Sequence, residues 1–226
     1  MQWTNRVERH GTERHPVLVI DGFAPDPRRF IDDAAFLAFA PRGRHYPGVR
    51  AEVAPALLGP LLEALAPHAA ELFGVTALSV VDAFYSLVTT QPARLTPIQR
   101  MPHFDGVEPE RLALLHYLQP DARGGTAFFR HRATGFESVD AARLPAYRAA
   151  LEADMARAGL PEPAYIAGDT PLFAEVHAVD ARFNRAILYR SNTLHCARIP
   201  PGMPLADDPE TGRLTVNTFL TGCLAE

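Results

Sequence analysis

His103 and Asp105 stand one residue apart, and a later histidine, His195, completes a set of two imidazoles and one carboxylate. A chain offers that donor set to Fe(II) when half of the coordination sphere is to stay open. The tripeptide His103-Phe104-Asp105 is weak evidence by itself. With nine histidines and thirteen aspartates in 226 residues, a His-x-Asp arises by chance about half the time. Two ligands one residue apart do project to the same face of an extended strand, because side chains alternate with period two. His195 follows the apolar run Ala186-Ile-Leu-Tyr-Arg190 and a polar turn, Ser191-Asn192-Thr193, so a distant strand can bring it to the first pair. His116 and His177 are rivals for the third position, although His116 lies inside an apolar run and reads as a core residue.

The elements that must position these groups change character along the chain. Val17 to Ile20 reads as a short strand, and Asp26-Pro27 caps a helix running to about Phe39. Pro41 to Gly48 reads as a loop. Ala54 to Phe73 has a helical pattern that Gly59-Pro60 and Pro67 are expected to cut into pieces. From Leu78 the texture is β: one long strand or two bent ones to Thr90, then Arg111–Leu118, a turn at Gly124-Gly125, and Thr126–Arg130. Val139 to Leu160 reads as a helical insertion, kinked near Pro145 and closed by Gly159. Phe173–Val179, Ala186–Arg190 and Leu214–Leu220 complete the strands. Helices followed by many short strands predict an α+β layout around a sandwich or barrel.

The bulk properties narrow the function classes. A net charge of −4 with no basic stripe gives no reason to expect nucleic acid. All 22 basic residues are arginine, which reads as the coding bias of a GC-rich bacterium. Cys196 and Cys223 do not make a disulfide scaffold at this length. The first residues contain no apolar leader core, and no run of 18 apolar residues follows, so a cytoplasmic protein without a membrane partner is expected. Nothing in the sequence assigns an oligomeric state.

The segment Leu112-Ala-Leu-Leu-His-Tyr-Leu-Gln-Pro-Asp-Ala-Arg-Gly-Gly-Thr-Ala-Phe-Phe129 resembles the strand–turn–Gly-Gly-x-Thr-x-Phe stretch of prolyl-4-hydroxylase-like Fe(II)/2-oxoglutarate oxygenases. Asn184 to Tyr189, His195, and Gly212-Arg-Leu-Thr-Val-Asn-Thr-Phe-Leu220 are similar to the closing strands of that superfamily. The likeness covers roughly residues 84 to 221, and the Pro102–Asp105 and Phe129–Glu137 segments are similar to a bacterial branch of unknown function.

The resemblance implies a double-stranded β-helix, a cupin-like jelly roll, with N-terminal helices packed on the major sheet. Residues 1–226 would form a single oxygenase domain: a strand and helices over 1–77, then a core over 78–226 with the insertion at about 139–160. His103, Asp105 and His195 would ligate iron. Arg213 would receive the distal carboxylate of 2-oxoglutarate through a two-pronged charge-assisted pair. Thr215 and Thr126 would each add a hydrogen bond to it. The implied reaction consumes dioxygen and 2-oxoglutarate, yields succinate, and hydroxylates a substrate C–H bond. Asp105 favours that outcome over halogenation, for which relatives replace the acidic ligand with a small residue.

Arg130, His131 and Arg198 are expected at the mouth of the barrel, beside Arg132, where arginines suit a carboxylate on a small molecule, amino acid or peptide. Two other classes use the same three ligands or the same fold. One is a zinc hydrolase or cupin-like isomerase, and the other is a non-catalytic jelly-roll module that binds a ligand or partner.

Overall fold

Two antiparallel sheets of unequal size organise the computed structural model, which describes residues 3–43, 45–119 and 124–225. The chain runs β1 (Thr4–His10), β2 (His15–Asp21), α1 (Arg28–Ala35), β3 (Gly48–Glu52), α2 (Pro55–Phe73) and β4 (Val75–Val88). Two short 3-10 turns lead to β5 (Leu112–Tyr117) and β6 (Gly125–His131), followed by α3 (Leu144–Ala158), β7 (Phe173–Asp180), β8 (Arg185–Arg190), β9 (His195–Arg198) and β10 (Leu214–Leu224). The larger sheet has the order β1-β2-β8-β5-β10-β4-β3 and the smaller one β7-β6-β9. Residues 120–123, inside the segment that carried the Gly-Gly resemblance, lie outside the described residues.

The apolar runs of β2, β5 and β8 are continuous because these strands are buried on both faces. Their side chains divide by parity. Leu18, Ile20, Leu112, Leu114, Ala186 and Leu188 join one cluster with Phe30 and Ile31 of α1 and with Leu58, Leu61 and Leu65 of α2. Val17, Val19, Ala113, Leu115, Tyr117, Ile187 and Tyr189 join a second cluster with Phe128 and Val179 of the smaller sheet. A third cluster gathers Ala127, Phe129 and Cys196 from the other face of that sheet with Tyr147 of α3. Among the described residues, no helix is long and apolar enough to cross a membrane.

Several elements differ from the sequence reading. α2 is one continuous 19-residue helix with Pro60 and Pro67 inside it. Its buried stripe of Leu58, Leu61, Leu65, Ala69 and Phe73 supplies the packing that offsets the two lost backbone bonds. Pro145 sits in the first turn of α3, where a missing N–H costs nothing, so it starts that helix without kinking it. β1 was not foreseen, because its burial pattern is almost wholly exposed and leaves no apolar alternation to read. The segment ending at Gly48 passes directly into β3. A Cβ on Gly48 would stand 1.9 Å from the Leu87 carbonyl oxygen, so only glycine lets β3 pair with β4 there.

Candidate metal centre and its cavity

The sequence reading placed His103 and Asp105 on a strand, and the structure places them in an irregular segment ahead of β5. Pro102 brings no N–H to a ladder, and the segment is held by only a few backbone bonds. The His103 amide donates to the His195 carbonyl at 2.8 Å and the His195 amide donates back at 2.8 Å. The Asp105 amide donates to the Ser191 carbonyl at 2.7 Å. This alternation preserves what a strand would have provided, with positions 103 and 105 presented to one side. His195 opens β9, opposite Phe128 of β6.

Together these segments bring one ligand atom from each of His103, Asp105 and His195 within 4.8 Å of the others, a group compatible with metal binding. The His103 Nε2 stands 3.6 Å from one carboxylate oxygen of Asp105, and the His195 Nε2 stands 3.3 Å from the other. The His195 Nδ1–H donates to the Thr193 carbonyl at 2.8 Å, a bond that fixes the ring and leaves Nε2 as the lone-pair donor. Burial pushes the His195 pKa down, but Asp105 and the Thr193 carbonyl outweigh it and hold it above the ordinary value. Burial would raise Asp105, and the two imidazoles with Arg50 overcome that, so the carboxylate stays ionised. The cavity walls that desolvate the ring and the nearby His195 push the His103 pKa below its ordinary value. The exposed half of the His103 side chain opens into a cavity.

That cavity measures about 570 Å³ and is lined by all three candidate ligands, by Arg213 and Thr126, and by Tyr189, whose ring meets His195 edge-on at 4.8 Å. Arg213 is 3% exposed. Its Nη2 donates to the Gly125 carbonyl at 3.0 Å, but its Nε is buried with no partner. Among the described residues no carboxylate comes within ion-pair distance of it. A buried guanidinium without an anion is costly, and here it faces a space that an anion can enter. Thr126 lines the same cavity and shares a hydrogen bond with the Tyr117 hydroxyl at 2.7 Å. Thr215 is buried beside them, but its hydroxyl donates to the Asn217 Oδ1 at 2.8 Å and the residue does not line the cavity.

The other expected site residues are placed elsewhere. Arg130 pairs with the fully buried Glu137 at 2.6 Å, Arg132 with Asp169 at 2.7 Å, and Arg198 with Asp180 at 3.4 Å, all outside the cavity. The Glu137 carboxylate also accepts the amides of Thr12 and Glu13, so Arg130 is committed to neutralising a structural anion. His131 is buried, with Nδ1 3.0 Å from the Thr134 hydroxyl and Nε2 3.2 Å from Asp154. Neither rival ligand joins the centre. The His116 Nε2 bonds to Asn184 at 3.0 Å amid Phe23 and Phe30, and the His177 Nε2 meets Glu8 at 2.7 Å. Tyr46 and Arg50 are among the cavity residues that escaped the sequence reading. The clue was present, since Val49, Ala51 and Val53 alternate with Arg50 and Glu52 as a half-buried strand does.

Residues 1–220 match the family described as a family of unknown function, DUF6445. No curated protein matches the sequence. Among solved structures the chain is similar to the non-haem α-ketoglutarate-dependent epimerase SnoN of nogalamycin biosynthesis, at 16% identity and a TM-score of 0.49 over 93% of this chain and 79% of that one. It is also similar to iron-bound HygX from Streptomyces hygroscopicus, at 14% identity and a TM-score of 0.48 over 93% and 83%. A third is an N-substituted L-amino acid dioxygenase from Burkholderia ambifaria, at 14% identity and a TM-score of 0.46 over 98% and 96%.

Proposed function

The chain belongs to the family of unknown function DUF6445, and we propose that it is a non-haem Fe(II)- and 2-oxoglutarate-dependent dioxygenase of jelly-roll fold. In this reading α1 and α2 back the larger sheet, and the cytoplasmic enzyme hydroxylates an unactivated C–H bond of a small carboxylate-bearing molecule, amino acid or peptide. One observation carries the reading: the His103–Asp105–His195 group and the buried, anion-less Arg213 open onto the same cavity.

His103 and His195 would hold the metal through Nε2 and Asp105 through its carboxylate, all on one side, with the Thr193 carbonyl fixing the His195 tautomer. Arg213 would take the distal carboxylate of 2-oxoglutarate on its orphaned Nε edge, with the Thr126 hydroxyl beside it. Bound Fe(II) with 2-oxoglutarate and dioxygen supplies the oxidation of the C–H bond, coupled to decarboxylation of the co-substrate to succinate. Tyr189 and the apolar walls keep water from the reacting centre and limit where a substrate can lie. A zinc hydrolase would use the same three ligands but gives the buried Arg213 no partner.

The test is succinate formation from 2-oxoglutarate with Fe(II) under air. Wild type should produce succinate, and His195→Ala should not. The oxygenase reading fails if Arg213→Ala leaves both that reaction and 2-oxoglutarate affinity untouched.

A further inference from the structure

The inner face of the larger sheet carries a second guanidinium that the oxygenase reading leaves unused. Register places Arg50 of β3 opposite Ser86 of β4, and Ser86 opposite Thr215 of β10. Arg50 and Thr215 therefore lie in one cross-strand row, and Arg213 stands two residues before Thr215 on the same face. Strand spacing and rise put the α-carbons of Arg50 and Arg213 about 12 Å apart. Both side chains line the cavity that holds the candidate ligands.

Arg50 is held in place from its protein side. Its Nε donates to the Ser86 Oγ at 3.2 Å, and its guanidinium lies 3.9 Å from the centre of the Tyr46 ring. Its two terminal nitrogens find no acceptor and no carboxylate among the described residues. One edge of a planar fork is thus fixed and the other is free, the arrangement that receives a carboxylate in two-pronged fashion.

The charge of the wall points the same way. The protein carries −4 overall, yet among the described residues the cavity lining holds three arginines, Arg50, Arg148 and Arg213, against one carboxylate, Asp105. Fe(II) and the 2-oxoglutarate dianion cancel one another, so the positive excess persists in the loaded site. One part of the wall is apolar, with Ile98, Leu144, Leu151 and Ile166. A cavity of about 570 Å³ that also takes the co-substrate suits a small acid better than a polypeptide.

We propose, resting on the oxygenase reading, that Arg50 anchors a carboxylate of the substrate and that the substrate is an amphipathic carboxylic acid. Its apolar body lies against Ile98, Leu144, Leu151 and Ile166, and the anchor sets which C–H bond faces the metal.

Binding can be tested without turnover. Protein loaded anaerobically with Fe(II) and 2-oxoglutarate is titrated in a calorimeter with 3-phenylpropionate and, separately, with its uncharged amide. Wild type should bind the acid at least about tenfold more tightly, the scale of one charge-assisted pair. Arg50→Gln should erase that preference while binding the amide as wild type does and keeping 2-oxoglutarate affinity within about twofold. Should the glutamine variant not fold, Arg50→Lys, which keeps the charge and loses the fork, should weaken acid binding several-fold and leave the amide unchanged.

No acid preference in wild type overturns the proposal, and so does equal weakening of acid and amide. Loss of 2-oxoglutarate binding in Arg50→Gln, with the acid preference intact, overturns it by assigning Arg50 to the co-substrate. Arg213→Met separates the two readings: if it leaves 2-oxoglutarate affinity untouched, the oxygenase reading fails whatever Arg50 does.

Discussion

Replacing Arg213 by methionine should leave the unliganded protein as stable as before or more so, while removing most or all of its response to 2-oxoglutarate. Arg213 is buried with one hydrogen bond, to the Gly125 carbonyl, and no anion among the described residues. Burying a charge costs several kcal/mol after relaxation, and one charged hydrogen bond returns only about 1.5–3 kcal/mol. Methionine keeps much of the apolar stem and removes both terms. In a chain of this size each kcal/mol moves Tm by about 2–4 °C. With Ni(II) present as a redox-inert metal, 2-oxoglutarate at about 100 times its Kd should add roughly 2.7 kcal/mol to wild type, or about 5–11 °C. Removing one partner of a buried charge pair costs about 2–5 kcal/mol, which raises Kd roughly 30- to 5,000-fold and cuts the shift at the same concentration to about 3 °C or less. Differential scanning calorimetry of both proteins, with and without co-substrate, reads all four values. A variant that keeps the wild-type shift, or one that melts several degrees lower without ligand, would refute the reasoning.

On the proposed oxygenase reading, Asp105→Ala should abolish hydroxylation and weaken iron binding; wild-type iron affinity in that variant removes Asp105 from the proposed ligand set. Gly48→Ala forces a Cβ onto the Leu87 carbonyl and should cost about 2 kcal/mol, or roughly 4–8 °C in Tm, with an unchanged melting point counting against the register. The His10 imidazole, buried between Phe128 and His177, is pushed down to about 4 by burial and then by His177 and His15. As pH falls below about 6.5 the unfolded chain binds a proton that the folded one refuses, so this group's share of stability, about 3 kcal/mol, is complete above that pH and is lost toward pH 4. His10→Phe keeps the ring packing and should lose less stability than wild type between pH 7 and 4 in urea unfolding. Parallel losses in the two proteins would count against the assignment.

The central strands are legible in the sequence because burial on both faces demands unbroken apolar runs, as in Leu112–Tyr117 and Arg185–Arg190. The polar turn after β8 likewise marks where His195 re-enters the sheet. What the sequence hides is set by partners far along the chain. Arg130 reads as a pocket residue until Glu137 folds back against it with the amides of Thr12 and Glu13. Pro60 and Pro67 read as helix breaks, because the stripe that keeps α2 continuous acts only once it is packed. Arg50 follows the loop Pro41 to Gly48, and nothing in its own sequence neighbourhood says what its strand pairs with. Its role depends on a glycine, Gly48, that admits β3 to the sheet edge.

The backbone bonds that join His103, Asp105, Ser191 and His195 are all protein to protein, so none of them needs a metal ion as a partner. Binding therefore need not be coupled to folding, unlike in small zinc domains, which are disordered until loaded. A scaffold assembled in advance has no means of refusing an ion by declining to fold. On the proposed reading, the three donors would rank divalent ions by intrinsic affinity, which places nickel and copper above iron. Which ion would occupy the proposed centre is then decided by supply at the time of loading; if the proposed function holds, protein recovered from ordinary growth media should carry a mixture of metals and regain full function only after exchange into Fe(II).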